Sequence, residues 1–283
     1  MTPEWTIRPF AAGDEPGILQ LFNAVFSEGN PDFEPRTPEH WRWQFAENPL
    51  GHHTFVAEAE GEIVGTYTAI PGTYLHEGAP FLGSQAVDTC VDARFRRVLK
   101  REGLFLTLAR AWFDHHGVPE RDRIVWGLPN PVAFRIGTKR LDYRPVHAPV
   151  VALNRNFGDD WIGWLGQVGA DEVEVAEVDA FPDGTAALAD RAVHGHGLVQ
   201  RRDREWLDWR YRACPSWRYR ILAATDPGSG ALRGVLVLRT GWMGRPVAPL
   251  VDWIVPADDG PAAKGLVRAA ARAAAAEGIS LLE

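Results

Sequence analysis

The sequence is poor in cysteine. Its 283 residues hold only Cys90 and Cys214. There is no C-x-x-C pair and no Cys/His spacing of the zinc type, so neither a disulfide framework nor a metal is expected. It also lacks a long apolar run: nothing approaches the ~20 residues that a helix needs to cross a bilayer. Basic excess is missing too. Lys and Arg number 30 against 37 Asp and Glu, a formal net charge of −7, which excludes the broad cationic footprint of a nucleic-acid binder. The opening MTPEWTIRPF has neither the basic n-region nor the apolar h-region of a secretory signal, and a cytoplasmic protein is the default expectation. What is there is ordinary globular composition, 46% hydrophobic and 24% charged. The length suits two units of about 100–150 residues.

The chain repeats itself. HWRWQFAENP (40–49) aligns with WLDWRYRACP (206–215), which sets Trp43 on Trp209, Phe45 on Tyr211 and Pro49 on Pro215. TFVAEAEGEIVGTYTAI (54–70) aligns with YRILAATDPGSGALRGVLVLR (219–239): a strand, a turn and a second strand carrying Gly65 or Gly234 early on. AVDTCV (86–91) aligns with LVDWIV (250–255), Asp88 on Asp252, and REGLFLTLARAWFDHHG (101–117) with AAKGLVRAAARAAAAEG (262–278). A period of about 165 residues with the order of elements kept indicates a duplication.

In the first unit, TIRPF is a short strand. Asp14 is placed to cap a helix whose apolar positions Ile18, Leu21, Phe22 and Val25 fall at i, i+3, i+4 and i+7. The pattern then predicts a helix over 38–47, a hairpin, a strand over 84–91, a helix over 103–116 closed by Gly117, a strand over 123–128, a short helix near 131–139 and a strand over 143–154. Three meander strands followed by a strand–helix–strand crossover imply a mixed sheet, antiparallel at first and then parallel. The expected domains are 1–157 and 172–283. The second repeats the order from VEVAEVDAFPDG but stops at ISLLE, the counterpart of IVWGL (124–128). Either the full gene product continues, or the first unit completes that sheet. Trp41, Trp43, Trp206 and Trp209 recur at helical spacing and read as core anchors.

Chemistry concentrates in 84–117. The strand SQAVDTCV runs into a basic loop with Arg94, Arg96, Arg97, Lys100 and Arg101, and then into a helix opening at Gly103. The first amides of a helix have no intrahelical acceptor and the dipole is positive there, so a phosphate is favoured at this end. A polyphosphate ligand fits this reading; a solvated basic loop is the alternative. The equivalent stretch of the second unit, PADDGPAAK, carries acids, so phosphate binding there is expected to be poor. His52-His53 and His115-His116 have no acidic partner at ligand spacing and read as loop and helix-end histidines.

Strand, basic loop and Lys100-Arg101-Glu102-Gly103-Leu104-Phe105 resemble the acetyl-CoA motif of the GNAT superfamily of N-acetyltransferases, Arg/Gln-x-x-Gly-x-Gly/Ala. RIVWGLPN and PVAFRIGTKRLDYRPV resemble that family's strand, Asn-bearing turn and helix ending in Gly-Phe, here Asp142-Tyr143. The resemblance implies an α/β fold of two tandem GNAT-like units, each a mixed twisted sheet with flanking helices, the second degenerate and incomplete. It implies acetyl-CoA as cosubstrate, without a metal. The site would consist of Cys90 and Val91 along the pantetheine, Arg96, Arg97, Lys100, Arg101, Glu102, Gly103, Leu104 and Phe105 at the pyrophosphate, and Asn130 and Phe134 completing the cofactor contacts. RVLK reads as an insertion after Arg96, so Arg96 and Lys100 compete for the motif's first basic position. Thr138 stands where many relatives carry a tyrosine acid.

Asp88 is the candidate base, because a carboxylate in an apolar strand must face a cleft or find a partner. A structural aspartate, echoed by Asp252, is the alternative. Asn130 is a candidate to bond the pantetheine or act through water, or else it forms a turn. The implied function is transfer of acetyl from acetyl-CoA to the primary amine of a small molecule by direct attack in a ternary complex. The alternative is a catalytically inactive acyl-CoA sensor. The expected partner is a small-molecule amine, with no nucleic acid and no membrane; a homo-oligomer is left open. The second unit is expected to pack against the first and shape the acceptor pocket.

Overall fold

A computed structural model describes residues 4–96, 103–146, 172–193, 195, 197–241, 246–279 and 282. The chain divides into two units, Met1–His147 and Ala148–Glu283. Among the described residues no helix is long and apolar enough to cross a membrane.

The first unit runs β1 (Thr6–Pro9), α1 (Glu15–Phe26), α2 (Pro38–Trp41) passing into a π-helical turn at Arg42–Ala46, β2 (His53–Ala59), β3 (Glu62–His76), β4 (Ala79–Val91), α3 (Leu104–His116), β5 (Val125–Gly127) and α4 (Pro131–Arg140). Its strands lie in the order β1-β2-β3-β4-β5, antiparallel as far as β4 and parallel between β4 and β5. The mixed sheet expected from the meander and crossover is therefore present. Leu104, Leu108, Ala109 and Trp112 give α3 one buried face, which packs on Phe55, Ala57, Val64 and Tyr67 of the sheet. Gly65 makes this approach close: a Cβ there would lie 3.3 Å from the Leu108 side chain. Trp41 and Trp43 are buried, as packing anchors should be.

Three local expectations need correction. Asp14 precedes α1 but does not cap it through its side chain. Its carboxylate instead accepts two bonds from Arg8, at 2.7 and 2.8 Å, and one from the Ala11 amide, because a guanidinium fork is the stronger donor. The helix expected over 38–47 is a single α turn followed by the π turn. The strand expected over 143–154 is absent from residues 143–146; the rest of it lies outside the described residues.

The second unit runs β6 (Glu174–Val178), α5 (Thr185–Ala192), β7 (Leu198–Gln200), α6 (Arg204–Leu207) passing into a π turn at Asp208–Arg212, β8 (Tyr219–Thr225), β9 (Leu232–Arg239), β10 (Leu250–Ile254) and α7 (Gly260–Ala276). An antiparallel sheet in the order β10-β9-β8-β6 packs on α7 through Leu222, Leu236, Leu238, Leu266 and Ala270. Among the described residues it ends at β10, with one parallel bridge beyond, Ala248 to Leu282. Two backbone details repeat with the sequence. Both short helices begin at a capping side chain, Thr37 or Asp203, and both continue into a π turn. Gly234 repeats the close approach of Gly65, since a Cβ there would lie 2.8 Å from Leu266.

α7 begins at Asp259, whose carboxylate accepts the Ala262 amide at 3.0 Å and both arms of Arg233 at 2.7 and 2.9 Å. Arg233 holds this carboxyl below the usual carboxylate range. An unfolded aspartate titrates near about 3.9. The resulting stability is thus complete above about pH 4 and lost as pH falls through the lower folded value. Asp259→Asn keeps the cap but not the charge. Urea unfolding is expected to find the variant weaker than wild type at pH 7 and close to it at about pH 2.

Candidate functional site

β4 carries an irregularity at its centre. Its register against β3 pairs Val87 with Thr68 and Cys90 with Thr66, so Asp88 and Thr89 together oppose Tyr67 in a β-bulge. Asp88 adopts φ 53°, and its carbonyl, turned out of the ladder, accepts the Thr66 hydroxyl at 3.2 Å. On the other edge, β5 pairs only with Ser84, Gln85 and Ala86. From Val87 to Val91 that edge of β4 faces no strand among the described residues. It offers backbone donors and acceptors to an extended amide-bearing ligand.

The open edge leads toward the start of α3. A 3₁₀ turn at Ala93–Phe95 follows β4, and α3 starts at Gly103, which supplies no capping side chain. Leu106 and Thr107 donate to the Gly103 carbonyl at 3.1 and 3.2 Å. The amides of Leu104 and Phe105 have no acceptor within the helix. Leu104 itself is buried in the core, so its side chain is a packing group and only its backbone amide is left at the helix start. Arg97, Lys100, Arg101 and Glu102 lie outside the described residues. Arg96 is already engaged: its Nε donates to the Val91 carbonyl at 2.8 Å and its two Nη atoms to Glu28 at 2.6 and 3.0 Å. A phosphate would have to compete with Glu28 for it.

Cys90 is buried with its sulfur 3.6 Å from the Thr66 hydroxyl, and burial pushes the thiol up to about 12. It is a packing group that offers the open edge only its backbone, as does the buried Val91. Asn130 is the cap of α4: its Oδ1 accepts the amides of Val132 and Ala133 at 3.0 and 2.9 Å. The turn-forming reading accounts for that oxygen. Phe134 is exposed on α4. The Thr138 hydroxyl folds back onto the Phe134 carbonyl at 3.0 Å and offers no acid. Asp142 takes φ 54°, the left-handed conformation that the family's glycine would supply, and Tyr143 packs where a Cβ on Gly137 would strike its ring.

Asp88 has a partner that the sequence reading missed. Its carboxylate is ion-paired with Arg36, by Nη1 to Oδ2 and by Nη2 to Oδ1 at 3.3 Å. Arg36 is held in turn by stacking on Phe22, 3.8 Å to the ring centroid, and by Asn23, which bonds both its backbone N–H and its C=O. The Asp88 side chain remains 17% exposed.

Residues 6–131 match the family model described as Acetyltransferase (GNAT) domain. The first unit is a GNAT domain. No curated protein matches the chain in sequence. Among solved structures, a protein of Enterococcus faecalis V583 described as a "Probable N-Acyltransferase" superposes with TM-score 0.67 and 13% identity over 97% of this chain. The chain spans 63% of that protein's length. A tandem GNAT protein from the clavulanic acid biosynthesis pathway superposes with TM-score 0.56 and 15% identity, covering 98% of this chain and 88% of its own. Saccharomyces cerevisiae N-myristoyltransferase with bound myristoyl-CoA gives TM-score 0.56 and 14% identity over 99% of this chain and 77% of its own. The fold is that of a tandem GNAT protein, and the family uses acyl-CoA as cosubstrate.

The second unit repeats the GNAT framework with the openings closed. Where α3 starts at Gly103, α7 starts at Asp259, whose carboxylate already occupies an N-terminal amide. Where Asp88 meets Arg36, Asp252 meets Arg202 at 3.3 Å. Asp252 also accepts the Tyr211 hydroxyl at 2.9 Å, and its side chain is 3% exposed. In the GNAT domain Phe45 stands at the repeat position of Tyr211 and has no hydroxyl to give. The signal for Arg36 was in the repeat: Arg36 and Arg202 each sit one residue before the cap of the short helix. A cavity of about 460 Å³ in the second unit, lined by Glu177, Tyr211, Arg212, Cys214, Trp217 and Tyr219 among others, shares no residue with the open edge of β4.

Proposed function

We propose that the GNAT domain is an acyl-CoA-dependent N-acyltransferase that moves acetyl from acetyl-CoA to the primary amine of a small molecule by direct attack in a ternary complex. The observation that carries this reading is the unpaired edge of β4, Val87–Val91, ending beside a helix that starts without a side-chain cap. The pantetheine amides extend that edge as a partial strand. The pyrophosphate takes the Leu104 and Phe105 amides, helped by the positive end of the α3 dipole. The thioester then lies at the Asp88–Thr89 bulge.

An amine with a pKa of about 10.4 must lose a proton before it attacks, which costs about 4–5 kcal/mol at pH 7; a thiol leaving group near about 8.5 needs far less help. Asp88 takes that proton in our reading, directly or through a water, while Arg36 holds the carboxylate against the bulge. Asn130 contributes by fixing the start of α4. Acyl length is the variable to test, because an N-myristoyltransferase is among the structural neighbours.

Free-thiol release from acetyl-, octanoyl- and myristoyl-CoA across a panel of sugar amines, polyamines and peptide N-termini tests the reading. Amine-dependent release, fastest with acetyl-CoA, is expected, and Asp88→Asn should lower kcat by about 10²- to 10⁴-fold. The second reading, a catalytically inactive acyl-CoA sensor, draws on the loss of an acid at Thr138. Acetyl-CoA binding without thiol release for any amine would select it and remove ours.

A further inference from the structure

Away from the proposed cofactor cradle, side chains from a strand, a helix end and a loop meet inside the first unit. His53 opens β2, His116 closes α3, and Asp122 lies in the loop before β5. One ligand atom from each lies within 4.8 Å of the other two. His53 Nδ1 and Asp122 Oδ2 are 2.7 Å apart, and the two imidazoles stack at 4.2 Å with 13° between their planes. The Asp122 amide donates to the His116 carbonyl at 3.0 Å, which ties loop to helix end.

Two atoms of this trio are buried and have no hydrogen-bond partner: Asp122 Oδ1 and His116 Nδ1. Asp122 is 2% exposed overall, with its side chain sealed entirely. Buried carboxylate oxygens and imidazole nitrogens are normally satisfied, and a cation satisfies a lone pair on each at once. Ser84, fully buried, places its hydroxyl 3.5 Å from His53 Nδ1.

We propose that His53, His116 and Asp122 form a binding site for a divalent transition-metal ion of the zinc type. Two imidazoles and one carboxylate suit zinc, cobalt or nickel, whereas magnesium and calcium select oxygen ligands. Metal–ligand bonds of about 2.0–2.2 Å require ligand atoms about 3.3 Å apart in a tetrahedron. The stacked rings must therefore open by a turn of one imidazole about χ2, so that both nitrogens converge on the ion. A water or the Ser84 hydroxyl completes the coordination. The ion would be structural: it joins β2, α3 and the loop leading into β5. The 13 residues of α3 keep it about 20 Å from the cradle, so acyl transfer does not involve it.

The test uses the full chain, stripped with a chelator and titrated with Zn²⁺ against a chromophoric competitor, with Co²⁺ as a spectroscopic probe. One equivalent of Zn²⁺ bound with submicromolar Kd, a rise in Tm on loading and a tetrahedral Co²⁺ visible band are expected. His116→Gln and Asp122→Asn should each weaken binding at least about 10-fold. His52→Gln and His115→Gln, which alter the neighbouring histidines outside the trio, should leave it unchanged. If Asp122→Asn fails to fold, His116→Gln and the wild-type titration still decide. The proposal is overturned if micromolar Zn²⁺ is not taken up by wild type. It is equally overturned if uptake survives His116→Gln, or if a crystal structure grown with Zn²⁺ shows only a water between Asp122 and His116.

Discussion

Gly103→Asp is expected to weaken acetyl-CoA binding severely while leaving the fold at least as stable as wild type. Gly103 has φ −71° and ψ 159°, extended backbone that any residue adopts. A Cβ added there meets nothing within 4 Å. Aspartate is among the best residues at the start of a helix and should add a few tenths of a kcal/mol over glycine. Asp259 already does this for α7. The new carboxylate would accept amides that the proposed site gives to the pyrophosphate and set a negative charge where the ligand would bring its own. A loss of about 100-fold in affinity or more is expected, each tenfold being about 1.4 kcal/mol. Calorimetric titration with acetyl-CoA, beside a melting curve without ligand, measures both halves. A folded variant of unchanged affinity would remove the cradle from the helix start.

Trp112→Ala should be among the most damaging substitutions in the first unit. The indole is fully buried, lies 5.1 Å from the Tyr67 and Phe113 rings, and donates from Nε1 to the His53 carbonyl at 3.0 Å. Its removal leaves a large cavity between α3 and the sheet and takes one donor from that carbonyl. A cost of about 3–5 kcal/mol is expected from the cavity and lost transfer energy, with a further contribution from the unmade hydrogen bond. Urea unfolding followed by near-UV circular dichroism reads it. A loss below about 1 kcal/mol would show that α3 relaxes onto the sheet and is not pinned by this side chain.

How much of this was legible depends on the range of the interactions concerned. The helix periodicities, the hairpin and the change from antiparallel to parallel pairing are local patterns, and they appear in the structure. The cradle segment is local too, with strand, turn and helix start in one stretch of chain. Strand lengths were less legible. β3 and β4 continue to His76 and from Ala79, through Pro71, Gly72 and Gly83, residues that argue against strand when read alone. Gly83 is there because a Cβ would lie 2.6 Å from Ile124, a contact made only after β5 has docked. Side-chain partnerships were hidden for the same reason. Arg36 and Asp88 are 52 positions apart and His53 and Asp122 are 69, so neither pair leaves a spacing to read. The histidine pairs looked unaccompanied because their carboxylate comes from another element. Only the duplication could have exposed Arg36, through its double at Arg202.

The exchange of Phe45 for Tyr211 has a meaning that comes from counting valences. An ionised carboxylate has about four lone-pair positions. Asp252 commits its own to Arg202, to the Tyr211 hydroxyl and to the Trp253 amide. At the repeat position in the first unit the hydroxyl is missing, and Asp88 is left with acceptor capacity facing partial solvent. One phenolic oxygen thus divides two copies of a framework into a saturated one and an unsaturated one. The saturated copy is finished by its own side chains, and the unsaturated copy keeps acceptor positions open at Asp88.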